Sequence, residues 1–221
     1  FWLIATGLFM KVVISNYLAS SIVDDVFGAP GQHSSLEVLV AIYAYAVQIY
    51  ADFFGYTSIA IGLALLIGFR FPENFDSPYA AVSIQDFWRR WHMTLSRWLR
   101  DYLYIPLGGN RGGRLFTYRN LMLTMLLGGL WHGAGWTFVV WGGIHGLALV
   151  AERWWRDRPG YVERPSTAWS RAWKRFVTFQ VVCLGWVFFR SSDVAEAFDI
   201  LGRIFGGTAS VPLNPMVVMV V

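Results

Sequence analysis

Two of the four histidines in these 221 residues sit where an ionisable ring needs a reason to be. His132 lies in Gly128-Gly129-Leu130-Trp131-His132-Gly133-Ala134-Gly135-Trp136, inside residues 121–151, a stretch with no Asp, Glu, Lys or Arg. An uncharged imidazole can accept a proton from a hydroxyl, which is the task of a general base. The flanking glycines permit close helix approach and irregular backbone. At membrane depth such backbone survives only inside protein or beside a wet cavity. An ionisable residue there is a candidate functional group, and an interhelical hydrogen bond is the competing role.

The second is His92, in Gln85-Asp86-Phe87-Trp88-Arg89-Arg90-Trp91-His92-Met93-Thr94-Leu95-Ser96-Arg97-Trp98-Leu99-Arg100-Asp101-Tyr102. On a helical wheel Trp88, Trp91, Leu95, Trp98, Leu99 and Tyr102 share one arc, with His92 near its edge, and Arg89, Arg90, Arg97, Arg100 and Asp86 lie opposite. The pattern predicts a helix over residues 83–104 lying in the interface, its arginines on phosphate groups. An imidazole among tryptophans must find a partner, and a structural and a functional role both satisfy that demand. Asp52 is another ionisable group in an apolar run; it can hold a cation as an ordinary buried ion pair or orient a histidine. His145, in Gly142-Gly143-Ile144-His145-Gly146, reads as a helix-packing residue beside small neighbours.

Other chemistries lack their residues. No histidine pair has zinc spacing, so no metal site is expected. No serine stands in a Gly-x-Ser-x-Gly elbow. Gly108-Gly109-Asn110-Arg111-Gly112-Gly113 lacks the Lys-Ser/Thr of a phosphate loop and reads as a turn. The single Cys183 forms no internal disulfide.

The elements that must position these groups are membrane helices. Hydrophobic residues make up 56% of the chain and charged residues 14%, with mean hydropathy +0.44. Soluble domains carry about 25% charged residues, too many for this chain to match with a water-facing surface. The 12 tryptophans suit the headgroup level. The net charge of +4 comes from arginine clusters between apolar stretches, which fits cytoplasmic loops on anionic lipid and argues against nucleic acid as a partner. Residues 1–23 read as one span, interrupted by Lys11. Residues 36–69 read as a helix that either breaks near Gly55 or projects well beyond the bilayer. Residues 24–35, 70–82 and 152–175 read as loops, 121–151 as a hairpin of two spans, and 176–189 as a further span. Residues 190–203 are amphipathic or loop, and Val211 begins another span. With the basic segments 83–119 and 152–174 on the cytoplasmic side, the hairpin apex near His132 points away from it. Both ends of the sequence fall in apolar runs, so residues 1–221 are expected to form one membrane-embedded domain, incomplete at both ends and inactive alone.

Five segments occur in order: Gln48-Ile49-Tyr50-Ala51-Asp52-Phe53-Phe54-Gly55-Tyr56, Gly68-Phe69-Arg70-Phe71-Pro72-Glu73-Asn74-Phe75, Phe87-Trp88-Arg89-Arg90-Trp91-His92, Arg100-Asp101-Tyr102-Leu103-Tyr104-Ile105-Pro106-Leu107-Gly108-Gly109 and Gly129-Leu130-Trp131-His132-Gly133-Ala134. Together they resemble the membrane-bound O-acyltransferase family, and within it the branch that O-acetylates alginate and other polysaccharides. The resemblance implies an all-α, polytopic transmembrane bundle with interfacial helices around a tunnel, here without its outer helices. It implies His132 as the catalytic histidine and His92 as the second family histidine, with Arg89, Arg90 and Asp52 in donor-binding or supporting roles. It implies no bound cofactor, an acyl thioester (acyl-coenzyme A or an acyl carrier) as donor, and hydroxyls of a secreted polysaccharide, or an accessory acetyl-relay protein, as acceptor. The expected location is a bacterial inner membrane, crossed several times, with lipids as neighbours. D-alanyl transfer to teichoic acid by the same fold is the nearest alternative, and a transporter or channel with a His/Asp polar relay is the alternative of another class.

Overall fold

A computed structural model describes residues 1–162 and 165–206. Among them the long elements are all helices: α1 Trp2–Gly28, α2 Ser35–Leu66, α3 Ile84–Arg90, α4 Met93–Leu99, α5 Arg114–His132, α6 Trp136–Arg156, α7 Ala168–Arg190 and α8 Val194–Gly206. The described residues divide into two compact units, one of Phe1–Glu73 with residues 190–206, the other Asn74–Phe189.

In the first unit α1 and α2 are long and apolar enough to cross a membrane. A core helix of a soluble protein is mostly buried, yet the most apolar window of α1 is only 17% buried and that of α2 28%. Leu8, Phe9, Val12 and Val13 are exposed, which suits lipid or further protein and not water. The 32 residues of α2 run unbroken for about 48 Å. The break envisaged at Gly55 does not occur, because Gly55 serves helix packing: a Cβ built on it would lie 2.6 Å from the carbonyl oxygen of Gly7, and the reverse holds for Gly7. Lys11, in a π-helical stretch of α1 (Phe9–Ser15), reaches Asp52 at 2.5 Å, so the two charges neutralise each other along the apolar pair. The polar loop expected over 24–35 is shorter, since α1 runs to Gly28. Ser34 then starts α2 with a capping box: its hydroxyl accepts the Glu37 N–H, and the Glu37 carboxylate accepts the Ser34 N–H and O–H. The span expected from Val211 lies outside the described residues.

In the second unit α5 and α6 form the expected hairpin, turning at Gly133-Ala134-Gly135, but among the described residues only α1 and α2, not these two helices or α7, meet the length and hydropathy of a membrane span. Gly129 and Gly142 let the helices cross at backbone contact: a Cβ on Gly129 would press on the Phe138 carbonyl, and one on Gly142 on the Met125 carbonyl. Both helices extend past the charge-free stretch. The hairpin therefore gathers Arg114 and Arg119 of α5 with Arg153 and Arg156 of α6 at one end and leaves His132 at the other. The loop expected over 152–175 is correspondingly short, because α7 already starts at Ala168.

The expected single helix over 83–104 is corrected. It is two short helices broken at Trp91 and His92, where His92 takes a left-handed conformation (φ 43°). That conformation resets the helical register, so the continuous apolar arc does not exist. Phe87 and Trp91 are buried, whereas Trp98 and Tyr102 are 52% and 70% exposed. The predicted turn over 106–113 is present, with Gly108, Gly109 and Gly113 at positive φ.

Candidate active site

Both histidines singled out by sequence fall in the second unit. Asn74 builds the turn that presents His92. Its backbone oxygen accepts the Met93 N–H at 3.0 Å, and its side-chain oxygen accepts the Thr94 N–H at 3.1 Å and hydroxyl at 3.0 Å. The same oxygen lies 3.2 Å from Nδ1 of His92. A left-handed, non-glycine residue costs about 1–2 kcal/mol, and these bonds offset that cost. Burial, with a smaller contribution from His132, pushes the pKa of His92 down to about 4, so the His92 ring is neutral at pH 7.

His132 is the last residue of α5, and Gly133, with extended backbone, ends the helix there. Its ring meets Trp141 at 5.2 Å, Phe189 at 5.1 Å and Trp131 at 5.1 Å, each edge to face. Aromatic walls on three sides fix the ring plane, and no hydrogen bond from another described residue occupies its nitrogens. An imidazole held by packing alone keeps its lone pair for an incoming hydroxyl.

A cleft of about 490 Å³ opens at the basic end of the hairpin. Arg89, Arg97, Arg100, Arg153 and Arg156 give it cationic walls, and Trp88, Met93, Leu121, Met125 and Leu149 an apolar lining. Three of the arginines already have carboxylates: Arg100 with Asp101, Arg153 with Asp157 and Arg156 with Glu152. Arg89 and Arg97 form no direct ion pair among the described residues, although Arg97 acts with Arg100 on the Asp101 carboxylate. Glu152 also accepts the N–H groups of Ile84 and Gln85, holding the start of α3 against α6.

Arg89 thus faces the cleft. Arg90 turns away from it and binds Asp86 at 2.8 Å and Asp76 at 3.4 Å. The Asp76 N–H in turn donates to the Arg90 carbonyl, which ties down the segment carrying Asn74. Asp52 belongs to the first unit, paired with Lys11. The residues that sequence reasoning passed over are Asn74, Trp141, Phe189 and Glu152. Asn74 stands within a quoted family segment, which is its one sequence signal. The others are ordinary residues whose roles come from what they touch. No three of His, Cys, Asp and Glu gather as a metal site among the described residues.

The chain belongs to the membrane-bound O-acyltransferase family, whose sequence model matches residues 3–189. It is 48% identical over 204 residues to a probable alginate O-acetylase of Pseudomonas syringae pv. tomato, covering 92% of this chain and 37% of that protein. It is 44% identical over 207 residues to a peptidoglycan O-acetyltransferase of Helicobacter pylori, covering 93% of this chain and 38% of that one. A teichoic acid D-alanyltransferase of Streptococcus thermophilus is 29% identical over 209 residues, covering 81% of this chain and 50% of that one. The chain spans less than two-fifths of the length of the first two relatives, and the resemblance to the O-acetylating branch agrees with their higher identity.

Proposed function

We propose that the protein is a membrane-embedded O-acyltransferase that moves an acyl group, acetyl by analogy with its nearer relatives, from a thioester to hydroxyls of an extracytoplasmic polysaccharide or of an accessory relay protein. The imidazole of His132, packed among aromatic rings at the hairpin apex with no hydrogen bond from another described residue, carries this reading. A nitrogen of His132 takes the proton of the acceptor hydroxyl as the oxygen attacks the thioester carbonyl. The tetrahedral intermediate collapses with loss of the thiolate, and the proton on His132 passes to that sulfur. His92, fixed by Asn74, supports the donor beside His132.

The arginine cleft fits the anionic part of the donor, whether acyl-coenzyme A or an acyl carrier. Arg89 and Arg97 supply charge not held in a direct ion pair, and the apolar lining takes the chain that leads to the thioester. Arg90 supports the site through Asp76 and Asn74, and Asp52 supports the helix pair α1–α2 through Lys11. The protein is placed in a bacterial inner membrane that it crosses several times, with the cleft on the cytoplasmic side. No cofactor is required, because donor, acceptor and imidazole account for every atom and proton in the step.

The test is His132→Ala and His132→Gln, with transfer from radiolabelled acetyl-coenzyme A measured in membrane vesicles and normalised to folded protein. A general base contributes about 10²–10⁴-fold in rate, whereas an interhelical hydrogen bond is worth only about 0.6 kcal/mol. Both variants are expected at normal abundance with transfer reduced by that factor. Glutamine keeps a hydrogen-bonding group but is no base near neutral pH, so wild-type turnover in His132→Gln refutes the mechanism.

A further inference from the structure

His145 has no part in the chemistry above, and its surroundings are unusual. It is 0% exposed, and neither Nδ1 nor Nε2 has a hydrogen-bond partner. The indole nitrogens of Trp88 and Trp141 are likewise buried without an acceptor. These three rings touch: Trp88 and Trp141 each lie 5.1 Å from His145 by ring centroid, and 5.6 Å from one another. Two N–H donors that can only donate therefore surround an imidazole that can accept, with no bond made between them.

Unmade buried hydrogen bonds cost stability, and each one in a native protein calls for an explanation. The chain also gives this ring dedicated space. A Cβ on Gly185 of α7 would lie 2.8 Å from His145 Nε2, so a mid-helix glycine, itself unfavourable, makes room for that nitrogen. A phenylalanine at 145 would fill the volume with no polar atoms to satisfy. Packing accounts for the ring, as the sequence indicated, but not for its nitrogens. The location supplies a reason for them. Trp88 lines the arginine cleft, and Trp141 packs edge-on against His132. The cluster is the wall between the cleft and the proposed base.

We propose that His145 is a positioning residue: on donor binding in the cleft its ring accepts the indole N–H of Trp88 or Trp141, and that bond locks the wall against which His132 is held. Rotation of one indole in its packed site brings the N–H to the acceptor nitrogen. In so dry an environment the bond is stronger than it is in water. Charge and protons stay where they are, since only an orphan donor and an orphan acceptor are joined. The inference rests on the acyl-transfer reading above.

The experiment compares His145→Phe, His145→Gln, Trp88→Phe and Trp141→Phe with wild type in the full-length protein in membrane vesicles, using radiolabelled acetyl-coenzyme A. His145→Phe is expected to unfold at the wild-type temperature or above it while kcat falls about tenfold or more. His145→Gln, whose amide oxygen can accept an indole N–H, is expected to recover most of that loss, which a purely structural role does not predict. At least one tryptophan variant should reproduce the loss, and combining it with His145→Phe should add nothing, as for two halves of one bond. Wild-type kcat in His145→Phe overturns the proposal. If that variant does not fold, wild-type kcat in both tryptophan variants overturns it equally, because each keeps an aromatic ring and lacks the indole N–H. Absence of transfer by the wild type, or undiminished transfer by His132→Gln, instead overturns the acyl-transfer reading, and this inference with it.

Discussion

Gly129→Ala should disable the site without touching either histidine. Gly129 stands three residues before His132, at the point where α5 meets α6 backbone to backbone. A methyl group there falls 2.3 Å from the Phe138 carbonyl oxygen, well inside van der Waals contact distance, and 3.2 Å from its carbonyl carbon. The obstacle is backbone, so no side chain can swing aside, and the helices must part by on the order of 1 Å at the crossing. Phe138 also stacks near His132, at 6.3 Å between ring centroids, so the shift reaches the base directly. A misplacement of about 1 Å can cost about 10²-fold in rate, and overpacking costs about 1–3 kcal/mol of stability. Gly128→Ala is the matched control, because the built Cβ there meets only the end of the flexible Leu99 side chain, at 3.2 Å. Acetyl transfer in vesicles, normalised to folded protein by fluorescence-detected gel filtration, should fall about 10²-fold in Gly129→Ala and stay near wild type in Gly128→Ala. Equal activity of the two variants would refute the argument that the crossing sets the position of His132.

Two further perturbations address the other parts of the site. Asn74→Ala removes the acceptor that holds Thr94 and His92 in the turn; it should lower stability by about 2 kcal/mol and transfer by at least about tenfold, read from thermal unfolding in detergent together with the vesicle assay, and unchanged values in both would show that the turn holds without it. The double variant Arg89→Ala, Arg97→Ala removes the cleft cations that form no direct ion pair; KM for acetyl-coenzyme A should rise about tenfold or more with kcat little changed, and a loss confined to kcat would argue that the cleft does not hold the donor.

Much of this protein is legible in one dimension. Apolar blocks long enough to cross a bilayer, with most charges in the segments between them, point to helices in a membrane whatever their packing, since unpaired backbone cannot face lipid. The charge-free run over 121–151, with glycines in its middle, is already a hairpin with a histidine near its apex. The order of five short segments points to the family that the sequence model matches, and to His132 and His92 as candidate site residues. The remainder depends on contacts distant in sequence. A helical wheel assumes an unbroken helix, and it fails over 83–104 because the break comes from Asn74, 18 residues before His92, and no propensity of Trp91 or His92 announces it. The wheel gives Arg89 and Arg90 the same face, yet one lines the cleft and the other binds Asp76 and Asp86, since partners brought by the preceding loop decide where a flexible cation goes. Gly55 reads as a breaker in sequence and acts as a packing surface, because a glycine inside a long helix bends it only if nothing presses against it, and here Gly7 does. His145 looks like filler from its small neighbours. Only the tertiary structure puts two unpartnered indole N–H groups around it, because they arrive from α3, more than fifty residues earlier, and from one turn back along α6.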